Sequence, residues 1–158
     1  MKLSKTFLLF IAVIFIATVG IAVAEDVTVE PFKFTVPDGY TVVSSDDTTC
    51  AMQKDANNAI SFASEVSDDL AAAKQTLIDQ GKTFIEEKSI DYEGMNITLQ
   101  EFSADFGGTT LYSYNYIMLS EDGNFVVTVA TDDAAFDSDL NSDSNPAKVI
   151  FDTIEVSK

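Results

Sequence analysis

The sequence predicts a single α+β domain built on a central antiparallel β-sheet with helices packed against it. Three observations predict it. From Asp91 to Thr131, apolar and polar residues alternate through three consecutive strand-length runs, the period of a pleated strand. Ser67 to Gly81 and the segment after Asn145 show helical spacing and helix-end signals instead. No internal repeat and no inter-domain linker interrupts the chain.

Within Asp91 to Thr131, the pair Asp122-Gly123 sets a register. It lies between two apolar runs, and a type I′ hairpin turn needs positive φ at both central residues. With those two residues as the loop, Met118 faces Val127, Tyr116 faces Val129 and Tyr114 faces Thr131. Tyr112, Tyr114, Tyr116, Met118, Val127 and Val129 then share one face. Leu111, Ile117, Leu119, Val126 and Ala130 share the other. Two apolar faces mark strands that are covered on both sides and therefore central. On this reading Gly123→Val is costly and Ser120→Ala nearby is cheap.

Residues 1–24 read as a signal peptide. Lys2 and Lys5 form a positive n-region, Phe7 to Val23 is uncharged and mostly apolar, and Ala22-Val23-Ala24 is a small-x-small cleavage signal. Cleavage leaves residues 25–158 as the domain and makes the protein secreted or extracytoplasmic. Without cleavage, residues 7–23 are a membrane anchor. No Cys adjoins the apolar run, so a lipoprotein anchor is not indicated. The domain carries 26 acidic residues against seven lysines, a net charge of −19, with no Arg, His or Trp. Such a surface repels nucleic acid and an anionic membrane surface, and attracts cations and basic partners. The single cysteine, Cys50, excludes an internal disulfide. Its alternation with Met52 reads as a buried thiol, an intermolecular disulfide being the other reading.

The elements follow in order. Glu25 to Glu30 reads as a short acidic lead. Phe32, Phe34 and Val36 alternate with Lys33 and Thr35 as a strand, ended by the turn residues Pro37-Asp38-Gly39. Tyr40 to Ser44 is a second short run. Thr49 to Lys54 and Ala59 to Val66 flank Asp55-Ala56-Asn57-Asn58, which has hairpin chemistry. Ser67 is the expected N-cap of a helix whose apolar face is Leu70, Ala73, Leu77 and Ile78, with Gly81 as its stop. Thr83 to Ile90 returns to strand, and Asp91 to Gly94 turns. Met95, Ile97 and Leu99 alternate on one face, and Phe102, Ala104 and Phe106 continue with switched parity, which predicts a bulge near Gln100-Glu101. Gly107-Gly108 is the next turn. An acidic loop, Asp132 to Asn145, leads to a last helix with Asn145 as cap and Pro146 at its first position. Thr153 to Val156 extends as a short terminal strand.

This order, with Phe-x-Phe-x-Val-Pro-Asp-Gly-Tyr at Phe32 to Tyr40 and Ile150-Phe151-Asp152-Thr153-Ile154 at the end, resembles the PsbP/DcrB-like superfamily, shared with the Ran-binding nuclear import factor of yeast. The resemblance covers nearly all of residues 25–158. It implies a central antiparallel sheet with packed helices, and a largely non-catalytic family that docks on other macromolecules. No binding residue carries over, because no site motif matches, and the lack of Arg and His departs from several members.

Residue chemistry points the same way. Ser-His-Asp and Cys-His catalysis need a base titrating near neutrality, and the chain has no His. No Ser-x-x-Lys opens a helix, no Gly-rich phosphate loop occurs, and structural zinc lacks its ligands. The sharpest local pattern is Asp137, Asp139, Asn141 and Asp143, oxygen-bearing side chains at every second position, as a calcium loop supplies them. The EF-hand template fails, since its turn glycine falls at Ser142 and its bidentate Glu at Lys148. The competing reading, a solvated acidic loop, is preferred. The Tyr112/Tyr114/Tyr116 stripe reads as core rather than as a recognition surface. Asn96-Ile97-Thr98 is a glycosylation sequon within a strand. The function expected is an exported non-catalytic binding or accessory protein of the cell envelope or exterior, its partner an envelope macromolecule, with charge favouring a basic one. The alternative is a calcium-responsive structural or adhesion component, and an unrecognised enzyme is third.

Overall fold

The computed structural model describes residues 25–157. The signal-peptide reading of residues 1–24 lies outside them. Among the described residues no helix is long and apolar enough to cross a membrane. Ten strands run in chain order: β1 Asp26–Val29, β2 Phe32–Thr35, β3 Thr41–Ser45, β4 Thr49–Asp55, β5 Asn58–Ser64, β6 Thr83–Tyr92, β7 Met95–Phe106, β8 Thr109–Met118, β9 Phe125–Thr131 and β10 Glu155–Val156. Helix α1, Leu70–Asp79, joins β5 to β6, and α2, Ala147–Thr153, precedes β10. A seven-stranded sheet has the order β3-β4-β5-β9-β8-β7-β6, and a three-stranded sheet the order β1-β2-β10. Every pairing is antiparallel. The expected central sheet with packed helices is present, with β9 at its middle and β8 beside it.

The main core lies between the large sheet and a layer made of the small sheet and α2. Phe34 stacks on Phe62 with ring centroids 4.5 Å apart, Phe32 meets Phe125 edge-on at 4.9 Å, and Phe151 of α2 tilts against Phe125 at 5.8 Å. The tyrosine stripe is core: Tyr114 and Tyr116 are buried on this face, and the Tyr116 hydroxyl donates to the Ser138 carbonyl at 2.8 Å. The expected faces of β8 and β9 are therefore observed, but not the register. Met118 pairs with Phe125, Tyr116 with Val127 and Tyr114 with Val129. The slip is two residues, an even number, so no side chain changes face. It arises because Leu119 to Asn124 form a wider connection. Ser120 Oγ donates to the Gly123 carbonyl at 2.6 Å, the Ser120 amide donates to Asn124 Oδ1 at 3.2 Å, and Asn124 Nδ2 donates to the Val66 carbonyl at 3.2 Å. The tight turns with positive φ at both residues fall instead at Glu93-Gly94 and Gly107-Gly108.

A second, smaller core lies on the opposite face, under α1. There Ala73 and Leu77 are buried, Gln100 Nε2 donates to Glu87 Oε2 at 2.8 Å and to the Leu70 carbonyl at 3.4 Å, and Phe84 meets Phe102 edge-on at 5.6 Å. This second core explains the switched parity of β7 without a bulge in that strand. Its register with β8 is unbroken from Ile97 to Phe106, and adjacent residues Leu99 and Gln100 are buried in opposite layers. The bulge lies across the ladder in β6, between Phe84 and Glu86.

Three further expectations are corrected. Glu25 to Glu30 is not a lead: β1 pairs with β2, because Val27 and Val29 alternate into the core. The N-cap of α1 is Asp69, whose carboxylate accepts the Ala72 amide at 3.0 Å, while Ser67 Oγ accepts the Asp69 amide one step earlier. Ile78 is not on the packed face and is 37% exposed. The end of α1 is as expected: Gly81 has φ +93°, the Gly81 amide donates to the Ile78 carbonyl and the Lys82 amide to the Leu77 carbonyl, a Schellman closure. Asn145 also acts as expected, its Oδ1 accepting the Ala147 amide at 3.0 Å, with Pro146 already helical at φ −64°.

Candidate functional site

Beside α2 a cleft of about 350 Å³ opens between the Pro37–Tyr40 turn, the end of β4 and the loop from Asp143 to Pro146. Each wall has a local cause. Gly39 has φ +85°, which lets the chain reverse after Pro37, and the Tyr40 amide closes the turn on the Pro37 carbonyl at 3.2 Å. Leu140 and Asn145, both fully buried, pin the acidic loop to the sheet. Asn145 Nδ2 donates to the Tyr116 hydroxyl at 2.9 Å and reaches the Asp139 carbonyl at 3.3 Å, so one side chain ties loop, sheet and helix start together. From α2, Lys148, Val149 and Asp152 line the cleft, spaced so that all three share one side of the helix.

Three polar groups of the cleft, Tyr40, Lys148 and Asp152, are shifted by their surroundings. Lys148 Nζ pairs with Asp152 Oδ2 at 2.5 Å, and the buried Tyr92 donates its hydroxyl to Asp152 Oδ1. These bonds, from Lys148 first and Tyr92 second, hold the Asp152 carboxyl below its usual range. Its bond to Asp152 raises the Lys148 ammonium, and burial raises the Tyr92 phenol. Burial, with the Asp55 carboxylate behind it, pushes Tyr40 up to about 12. Lys54, Asp38 and Asp143 complete the lining, all exposed.

The residues singled out from the sequence distribute differently. Asp137, Asp139, Asn141 and Asp143 share one loop, but the Asp137 and Asp139 carboxylates are turned onto its backbone amides. Asp137 Oδ1 accepts the Asp139 amide at 3.0 Å, and Asp139 Oδ1 accepts the Asn141 amide at 2.9 Å and Asn141 Nδ2 at 3.0 Å. These bonds lower the Asp139 carboxyl. Among the described residues no three His, Cys, Asp or Glu side chains converge as a metal centre. Of the four, Asp143 alone lines the cleft. Asn96 is exposed on β7, its Oδ1 accepting from Ser89 Oγ at 3.0 Å. Cys50 is fully buried and free, and burial pushes its thiol up to about 11. Tyr40, Lys54 and Lys148 were missed as site residues. The available signal was the Pro37-Asp38-Gly39-Tyr40 motif itself, which forms one wall.

Two packed sheets, a helix on the far face and a terminal helix beside the Pro-Asp-Gly-Tyr turn make a fold similar to that of PsbP, and the resemblance read from the element order holds at the level of the fold. The chain is similar to cyanobacterial PsbP (CyanoP) from Synechocystis, with a TM-score of 0.57 and 13% identity over 90% of this chain and 97% of that one. It is also similar to a protein of Bacteroides thetaiotaomicron, with a TM-score of 0.57 and 10% identity over 84% of this chain. The chain spans about half the length of the Bacteroides protein, 47%, and at these identities the likeness is one of fold. No family model matches the sequence, and no curated protein matches it.

Proposed function

We propose that the chain is an exported, non-catalytic binding or accessory protein of the cell envelope or exterior, and that the cleft beside the Pro37–Tyr40 turn is its recognition site. The observation that carries this reading is the protonation pattern of the cleft. A general acid or base works best with a pKa near the operating pH. Here Tyr40 lies near 12, Lys148 is raised and Asp152 is lowered, so every perturbed group moves away from neutrality. Such groups donate and accept hydrogen bonds in fixed states, which suits binding rather than proton transfer. The signal-like residues 1–24 and the PsbP-like fold support export and an accessory role. A photo-crosslinking residue at Ser144, compared with one at Ile85 on the exposed edge strand β6, tests the reading in cells that make the protein. The expected result is a discrete adduct from Ser144 alone, on a chain that starts at Glu25 and lies outside the cytoplasm. Equal adducts at both positions, none at either, or a chain retained in the cytoplasm would sink it.

A further inference from the structure

We infer that the cleft takes a small zwitterion, a ligand of amino-acid or dipeptide size carrying one carboxylate and one ammonium group; this rests on the cleft being the recognition site proposed above. Lys33, Lys74, Lys88 and Lys148 each pair with a carboxylate at 2.5 to 3.6 Å. Lys82 is buried beneath the end of α1, its ammonium 5.9 Å from the Phe106 ring centroid. Lys54 makes no ion pair within 4.0 Å among the described residues, although its charge acts on the neighbouring Asp55 carboxylate, on a chain where acids outnumber lysines 26 to nine. It lines the cleft, and its stem runs beside the Gly39 turn, where a Cβ would lie at an ordinary contact distance of 3.9 Å from its Cε.

Tyr40 stands beside Lys54 in the lining of the cleft. It is nine-tenths buried, at 9% exposure. Among the described residues its hydroxyl has no hydrogen-bond partner and is not fully enclosed, and the residue lines the cleft. A phenol held near 12 stays protonated and offers a donor. Lys54 and Tyr40 together present a charged and a neutral donor, which a carboxylate satisfies.

Asp38 and Asp143 supply the other sign. Both are exposed in the same cleft, and among the described residues neither accepts a hydrogen bond nor joins an ion pair. The Lys148–Asp152 pair is satisfied internally and forms a nearly neutral wall. A simple anion here meets Asp38 and Asp143, and a simple cation meets Lys54. A ligand bearing both charges meets complementary groups at each end. The volume, about 350 Å³, lies at the small end of the range for ligand pockets.

Glycylglycine, glycinamide and acetate, titrated at equal ionic strength into the 15N-labelled domain, separate these cases. Glycylglycine is expected to move the amides of Gly39, Lys54 and Ser144 saturably at millimolar concentration. Glycinamide, lacking the carboxylate, and acetate, lacking the ammonium, are expected to give shifts that do not saturate. Tyr40→Phe and Lys54→Gln are each expected to weaken glycylglycine about three- to tenfold, the loss of one hydrogen bond. Lys54 is exposed, so its variant keeps the fold even if the Tyr40 variant does not. Saturable binding of glycinamide or acetate as tight as glycylglycine, or unchanged affinity in Lys54→Gln, would refute the zwitterion. A Ser144 adduct with no glycylglycine binding refutes the ligand class and leaves the recognition site standing. Glycylglycine binding without a Ser144 adduct does the reverse.

Discussion

Tyr92, Lys148 and Asp152 bring a phenol, an ammonium and a carboxylate together where the β6–β7 hairpin meets α2. The Asp152 carboxyl titrates lower in the fold than in the unfolded chain, whose value is about 3.9. Its contribution to stability is therefore complete above that value and is lost as pH falls through the lower, folded pKa. Lys148 is raised, so its share is complete below about 10.4 and is lost as pH rises through the folded pKa. Both groups are partly exposed, which keeps the effect small. Asp152→Asn should lower the urea midpoint at pH 7, and the two midpoints should converge as the pH falls through the lowered, folded pKa of Asp152. A gap that stays constant with pH would show that the carboxylate is not held by this pairing. None of the three residues announces itself in the sequence, since Tyr92 and Asp152 are 60 positions apart and meet only through tertiary packing. Cys50 was legible, because strand alternation with Met52 fixes its side.

At the scale of elements, the turn at Asp122-Gly123 shows what a local signal does and does not fix. The dipeptide marks a chain reversal, and the reversal is there. The length of the loop is decided elsewhere, by Asn124 reaching Val66 and by Phe32 packed beneath Gly123. Gly123 has φ +133°, and an added Cβ would lie 3.3 Å from Phe32 Cζ. Gly94 has φ +79° with nothing within 4 Å of an added Cβ. Gly94→Val should therefore show backbone strain alone, about 1–3 kcal/mol, and Gly123→Val should cost more than Gly94→Val, through crowding of the aromatic core. Ser120→Ala, cheap on the sequence reading, removes the 2.6 Å bond to the Gly123 carbonyl and should cost about 0.5–1.5 kcal/mol. Denaturant midpoints of the three variants check the order, and equal losses for the two glycines would remove Phe32 from the account. The bulge was misplaced for a related reason. Switched parity in β7 reports two buried layers, and one strand alone cannot distinguish that from an inserted residue.

For the whole molecule, net charge is the governing property. With −19 on residues 25–158, self-repulsion opposes the compact state, and any salt relieves it. The loop bearing Asp137, Asp139 and Asp143 turns two of those carboxylates onto its own backbone amides, which leaves few free ligands for a divalent ion. Calcium and sodium at matched ionic strength should then raise the melting temperature equally, and Asp139→Asn with Asp143→Asn should not change that equality. An excess for calcium that disappears in the double variant would restore the calcium-responsive alternative. The fold class was readable from periodicity because both sheets obey it. The cleft was not, because it is assembled from a turn, a strand end, a loop and a helix that adjoin only once both cores have closed.

Strand β2 sits between β1 and β10, the first and last strands of the described chain, and the Ser157 amide donates to the Pro31 carbonyl. The layer over the main core is thus stitched from segments more than 120 residues apart. A polypeptide delivered N-terminus first can pair β1 with β2 early, but the far edge of β2 stays open until residues 155–156 arrive. Ile150 and Phe151, buried just before them, come equally late. Residues 147–156 therefore close the layer rather than decorate it, and the native core is not complete until they have emerged.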